Sequence, residues 1–333
     1  MGPAQPFLRF RGLLHACHLA REAGATDAEC VEEIERAVEF LPPLRSLRWS
    51  RLEILEEVFG IESGSLRCKS ETDESATIRR RQGWCIGRAF LSRWLALAIE
   101  VADEPPDACN GFVFDAGASL GWELAADRLR DGVDLHRVFV GVGDGLVASG
   151  LVHGLREAYR LGALPRLPRL HLVEPAGGPL SATFDQVSLR ILSQVHADLA
   201  SQRIWEAAQS FPRVRQQIAD SLQAGLQRAA DDRVRTAVEQ GLRAQVIERP
   251  ADPDAASLVR EPADWFGLVR GMLESGGFSI SVTDDQLSLA RELLDSIDSA
   301  PVSPLGCAAL AGIIRLRTAG DLETDENVAI VAC

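Results

Sequence analysis

Apolar and polar residues alternate along much of this chain in blocks that predict strands followed by helices. Short apolar runs predict strands at 112–114, 137–141, 170–174, 279–282 and 328–332, and 65–69 is a further short candidate. Apolar residues at helical spacing predict helices at 120–129, 146–161, 284–297 and from Pro304. Because continuously apolar strands are typical of parallel sheets buried on both sides, the sequence predicts an α/β fold, a parallel sheet with helices on both faces.

Two regions depart from this alternation. Residues 1–63 are predicted to be helical and contain Thr26-Asp27-Ala28-Glu29, a capping box in which threonine and glutamate satisfy N–H groups at a helix start. Residues 183–245 are polar, rich in Gln, Arg and Ala, predicted to be mostly helical and without a strand candidate, and the insertion they indicate is placed at 183–257. The predicted organisation is therefore an N-terminal helical region, an α/β core in two parts (64–182 and 258–333) and a helical insertion between those parts.

A glycine-rich turn, Gly141-Val142-Gly143-Asp144-Gly145, lies between a predicted strand and a predicted helix. Glycines let the backbone approach a ligand closely, and a helix start offers free N–H groups at the positive end of the helix dipole. The turn is therefore a candidate site for a phosphate or another small anion. The carboxylate of Asp144 would repel such a ligand unless it is turned away.

The sequence leaves three other interpretations open for the glycine-containing turns of this part of the chain. A dinucleotide site would use Gly143-x-Gly145-x-x-Ala148, with Glu174 as the ribose acceptor at the end of the next strand, as in an NAD-binding oxidoreductase. A methyltransferase-like site would use 113–117 through Gly121, with Ser119 in place of its central glycine. The third interpretation is a tight turn without any ligand, because glycine turns are common in α/β proteins.

Several segments together resemble the pyridoxal-phosphate enzymes of fold type II, the class of threonine synthase and the tryptophan synthase β-subunit. The segments are 117–125, 141–150, 168–175 and 303–312, in the order that the family has them. The resemblance implies pyridoxal phosphate as the cofactor, with its phosphate held at Gly141, Gly143, Asp144 and Gly145. It also places Cys333, after the last strand, near the pyridine nitrogen.

The chain departs from this family at two places. Arg80 stands where the family has the lysine that binds the cofactor, and the chain's single lysine, Lys69, matches an upstream position. A guanidinium is permanently protonated, so it neither attacks an aldehyde nor accepts a proton. Only residues 84–110 remain where the family has its small mobile domain, so that domain is predicted to be largely missing.

The resemblance and its departures predict a catalytically impaired homologue, a pseudoenzyme that acts as a partner subunit, as a homo-oligomer, or as a binding protein for a small anionic ligand. The alternatives are an active pyridoxal-phosphate lyase or synthase and the NAD-binding oxidoreductase. The formal net charge of −13 argues against nucleic-acid binding. No apolar run is long enough for a membrane helix, no ligand cluster predicts a metal site, and seven scattered cysteines favour a cytoplasmic protein.

Overall fold

The computed structural model describes residues 21, 24–32, 49–51, 66–70, 111–132, 134–143, 145–195, 204, 206–208, 212–227, 264–295 and 304–332. The strands are β1 (Trp49–Arg51), β2 (Leu66–Ser70), β3 (Arg137–Gly141), β4 (Arg169–Pro175), β5 (Ser279–Val282) and β6 (Val328–Ala332). The helices are α1 (Gly111–Asp131), α2 (Leu146–Arg160), α3 (Pro179–Val195), α4 (Pro212–Gln227), α5 (Trp265–Ser275), α6 (Asp284–Asp295) and α7 (Pro304–Thr318).

The strands form one six-stranded sheet in the order β1-β2-β6-β3-β4-β5. Only β1 is antiparallel to its neighbour, and the other four pairings are parallel. The last strand of the chain, β6, therefore lies inside the sheet, between β2 and β3. The parallel α/β sheet predicted from the apolar runs is confirmed.

Both faces of the sheet are covered. Val138, Phe139 and Val140 follow one another along β3, and none is more than 1% exposed. Because consecutive strand residues point to opposite faces, such a run requires cover on each side. On one side α7 packs so closely that a Cβ on its Gly312 would lie 2.6 Å from Val173 of β4.

The prediction of a strand at 112–114 is wrong, because these residues lie in the first turn of α1. Their apolar side-chain types have a high strand propensity, but the helix continues from them without a break to Asp131. Tertiary context often overrides such local propensity. The methyltransferase-like interpretation required a strand and a loop at this point, so the helix also rules it out.

The helices α1 and α2 touch through their backbones at two glycines. A Cβ on Gly154 of α2 would lie 2.2 Å from the carbonyl oxygen of Ala118, and a Cβ on Gly121 would lie 2.5 Å from the N of Leu155. No side chain can occupy either position unless the helices separate.

The capping box predicted near the N-terminus is confirmed. The N–H of Thr26 donates to Glu29 Oε2 (2.8 Å), and the N–H of Glu29 donates to Thr26 Oγ1 (3.3 Å). Most of the predicted helical region 1–63 and all of 84–110 and 228–257 lie outside the described residues. The domain boundaries therefore stay predictions. Within the described part of the chain, no helix has the length and apolar character needed to cross a bilayer.

A buried polar network centred on Arg137 lies at the amino edge of the sheet. The Arg137 side chain donates from Nε to Glu326 Oε2 (2.8 Å) and from Nη2 to the carbonyl of Asp321 (3.0 Å). Its Nη1 lies 3.4 Å from Gln216 Oε1 and 3.4 Å from His171 Nε2. The start of β3 is thereby tied to α4, to β4 and to the segment that precedes β6.

Burial shifts the ionisation of two groups in this network. The ring of His171 stacks on Phe139 and makes an edge contact with Phe278. Burial lowers the pKa of His171 well below its ordinary value, and the positive charge of Arg137 lowers it further. Because Arg137 can only donate, His171 Nε2 is the acceptor and the ring is neutral. Burial raises the pKa of Asp321 to about 6, although Arg137 and Arg213 oppose the rise. Its Oδ2 has no hydrogen-bond partner within the described residues.

We expect Gly154→Ala to destabilise the fold by about 1–3 kcal/mol, as overpacked cores do. Alanine favours the helix by about 1 kcal/mol, but the clash with a backbone carbonyl cannot be relieved by rotation of a side chain. Urea denaturation followed by circular dichroism measures the difference. Ala126→Leu, on the exposed face of α1, adds more volume and should change the unfolding free energy little; equal losses in both variants would contradict the close packing at Gly154.

Asp321 should make the folded state less stable as the pH rises. Its carboxyl ionises at about pH 6 when folded and near 3.8 when unfolded, so the free energy of unfolding falls through that window. Asp321→Asn removes this contribution and should raise stability at neutral pH by about 1–3 kcal/mol, with little change near pH 4. Melting temperatures across this pH range measure it, with the exposed Asp325→Asn as the matched control. If the melting temperatures of wild type and Asp321→Asn differ by the same amount at all pH values, the raised pKa is contradicted.

Candidate functional site

The predicted glycine turn leads directly into the start of a helix. Strand β3 ends at Gly141, and α2 begins after Gly145, which adopts a left-handed conformation with φ of 76°. The first α-helical hydrogen bond is donated by Ser149 to the carbonyl of Gly145 (2.8 Å). The N–H groups of residues 146–148 therefore precede the helix's own bonding pattern, and a glycine cap has no side chain to accept from them.

The backbone just after β3 is hydrogen-bonded to β4. The N–H of Val142 donates to the carbonyl of Val173 (2.8 Å), which anchors the turn to the end of β4. Gly141 and Gly143 are half-buried and Gly145 is buried, so the turn borders the interior of the protein. The start of a helix at the carboxyl edge of a parallel sheet is a common place for α/β proteins to bind ligands.

The sheet register places the chain's single lysine at the same edge as this turn. Lys69 of β2 pairs with Val331 of β6, and Val331 pairs with Val140 of β3, one residue before Gly141. Lys69 and Val140 are thus in register two strands apart, a backbone separation of roughly 10 Å. Sequence reasoning placed Lys69 on a strand upstream of the site but did not place it in register with the turn.

Three of the predicted site residues lie outside the described part of the chain: Arg80, Asp144 and Cys333. Cys333 follows directly after Ala332, which pairs with Ser70 at the carboxyl edge. The placement and the role of Cys333 stay predictions.

The proposed ribose-binding role of Glu174 is wrong. Glu174 is 2% exposed, and its carboxylate accepts from the backbone N–H groups of Leu180 (3.0 Å) and Ser181 (2.5 Å) at the start of α3. A Cβ on Gly178 would lie 2.0 Å from Glu174 Oε2. The backbone at Gly178 therefore also covers the carboxylate of Glu174. Burial raises the pKa of this carboxyl, and the two backbone donors oppose the rise. Glu174 caps a helix, and a dinucleotide site at this turn lacks its acidic residue.

Sequence reasoning missed a concave region at the opposite, amino edge of the sheet. It has a volume of about 700 Å³ and is formed by the end of α2, the loop to β4 and parts of α4 and α5. Four arginines line it: Arg156, Arg160, Arg166 and Arg169. The spacing of Arg156 and Arg160 puts both on one helix face, which was the available signal.

Comparison with known proteins gives a partial match in sequence and a broader one in structure. No family model matches the chain. The sequence is 31% identical over 90 residues to the threonine synthase of Halalkalibacterium halodurans, a match that covers 27% of this chain and 25% of that enzyme. The match thus spans about a quarter of that relative's length.

In structure, the chain is similar to a pyridoxal 5'-phosphate-dependent aspartate racemase, with a TM-score of 0.50, 11% identity, and coverage of 91% of this chain and 94% of that one. A processed threonine deaminase isoform from Solanum lycopersicum gives a TM-score of 0.49, 13% identity, and coverage of 93% and 85%. At 11% identity, the likeness to the racemase shows the fold alone. The predicted fold class is confirmed by it: the chain has the parallel α/β fold of pyridoxal-phosphate enzymes of fold type II.

Proposed function

We propose that this chain is a pseudoenzyme of the pyridoxal-phosphate enzyme fold, which binds a small anionic ligand at the glycine turn and acts as a binding protein or partner subunit. The observation that supports the proposal is the start of α2 at Gly145, a cap without a side chain, next to Gly141 and Gly143. Backbone N–H groups at such a helix start attract a phosphate group by hydrogen bonding and by the helix dipole.

Pyridoxal phosphate fits this arrangement only in part. Gly141, Gly143 and Gly145 would hold its phosphate group. When bound, the cofactor supplies an electron-accepting ring that stabilises negative charge on the α-carbon of an amino acid. The reaction also needs an amine that bonds to the cofactor, and Arg80 replaces the lysine that the resemblance leads us to expect. A guanidinium cannot take that part, so the proposal retains the anion site and leaves out the cofactor's chemistry.

A second function is favoured by one observation, the register of Lys69 with the end of β3. If Lys69 bonds to the cofactor from two strands away, the chain is an active pyridoxal-phosphate lyase or synthase that acts on an amino acid. The chain's own contribution would then be Lys69 as the amine and proton acceptor, with the glycine turn as the phosphate site.

If the glycine turn binds an anion, substitution of Gly145, the residue that precedes α2, should weaken that binding. Gly145→Ala forces a side chain into the left-handed conformation and obstructs the turn, so affinity for inorganic phosphate, measured by isothermal titration calorimetry, should fall at least about tenfold. Gly132→Ala is the matched control, because Gly132 also has a positive φ (70°) but follows the end of α1 with open space around it. Equal affinity in wild type and Gly145→Ala, or no phosphate binding by the wild type, would overturn the proposed site.

The two candidate functions differ in what happens to added pyridoxal phosphate. For a pseudoenzyme, the absorbance spectrum should equal that of the free cofactor, and borohydride should fix no adduct on Lys69. Peptide mapping after reduction distinguishes Lys69 from the terminal amine, and Lys69→Arg is the control. A shifted spectrum with a reduced adduct at Lys69, absent in Lys69→Arg, would instead establish the active enzyme.

A further inference from the structure

We propose that the arginine-lined cavity at the amino edge of the sheet is a second ligand site, which binds a small phosphorylated molecule. Its lining includes four arginines (Arg156, Arg160, Arg166 and Arg169) and two glutamates (Glu274 and Glu326). Its volume of about 700 Å³ is in the range of small-molecule sites. The cavity is separate from the glycine turn, because α2 starts at the turn and ends at the cavity.

The charge of the cavity opposes that of the chain. Four arginines face two glutamates, Glu274 and Glu326, within a chain whose formal net charge is −13. A local positive excess in an acidic protein concentrates anions at that point of the surface. Phosphate is the anion that arginine binds best, because two N–H groups of a guanidinium match two phosphate oxygens.

Two of the arginines are fixed in the wall of the cavity. Arg156 Nε lies 2.8 Å from Glu274 Oε2, and its Nη2 donates to Glu274 Oε1 (3.3 Å). Arg169 lies between Asp220 (3.2 Å) and Glu326 (3.6 Å). Since Glu326 is also the partner of Arg137, this side of the cavity is continuous with the buried network at the amino edge. A site built on such a fixed frame needs little reorganisation when it binds.

The other two arginines are available to a ligand. Arg160 and Arg166 are exposed, and within the described residues neither has an ion pair or a side-chain hydrogen bond. In sequence they lie on either side of the turn at Gly162, and both line the cavity together with Arg156 and Arg169. Burial lowers the pKa of Arg156, and Arg270 and Arg160 lower it further against the opposing effect of Glu274. The cavity thus contains cationic charge that its own carboxylates do not fully balance, and a phosphorylated ligand would balance it.

Pyrophosphate tests this site by calorimetry on the full chain at constant ionic strength. The double variant Arg160→Gln/Arg166→Gln should weaken one class of pyrophosphate sites at least about tenfold and leave the melting temperature unchanged, because both side chains are exposed. Arg190→Gln is the matched control: Arg190 is an exposed arginine of α3 that does not line the cavity. It should bind pyrophosphate like the wild type.

The glycine turn could also bind pyrophosphate, so Gly145→Ala is titrated beside the arginine variants. Binding that survives in Gly145→Ala and is lost in the double variant supports the cavity as an independent site. Binding that is lost in Gly145→Ala and retained in the double variant overturns it, as does an equal loss in Arg190→Gln, which would indicate unspecific charge attraction. Binding of citrate without binding of pyrophosphate would overturn the assignment to phosphorylated ligands.

Discussion

The buried ion pair between Arg137 and Glu326 fixes the last strand of the chain, and the rest of the architecture depends on it. Arg137 begins β3, while Glu326 lies just before β6, which fills the gap between β2 and β3. A buried charge without its partner costs several kcal/mol, so β6 is held to one position along β3. The neutral His171 beside Arg137 adds no second positive charge to this pair.

Insertion of β6 determines which residues meet at the carboxyl edge. Through β6, Lys69 of β2 comes into register with Val140 of β3, and the glycine turn follows at once. These residues are far apart in sequence and belong to strands that β6 joins. The polar network thus lies at one edge of the sheet and the glycine turn at the other, so the groups that fix the register do not occupy the glycine turn.

The sequence predicted most strands because each is a short apolar run between turns. The bounds of β3, β5 and β6 agree with the prediction to the residue. The start of α1 was mistaken for a strand because its apolar residue types have a high strand propensity, which tertiary context overrides here. Glu174 was misjudged for a related reason: sequence shows that it ends a strand, but not that α3 begins against its carboxylate.

The partners of Arg137 could not be predicted, because Gln216, Asp321 and Glu326 are distant in sequence and meet only in the fold.

The helix α2 connects the two candidate sites and gives them different chemistry. Its amino end points at the glycine turn, where the backbone N–H groups and the positive end of the dipole can hold an anion without any charged side chain. Its carboxyl end points at the arginine-lined cavity, where the negative end of the dipole repels an anion, so the arginines must supply all of the attraction there. The proposed site at the turn therefore rests on glycines, and the proposed site in the cavity rests on arginines. Since the fold of a protein does not determine its function, the two proposals depend on these residues and not on the likeness to pyridoxal-phosphate enzymes.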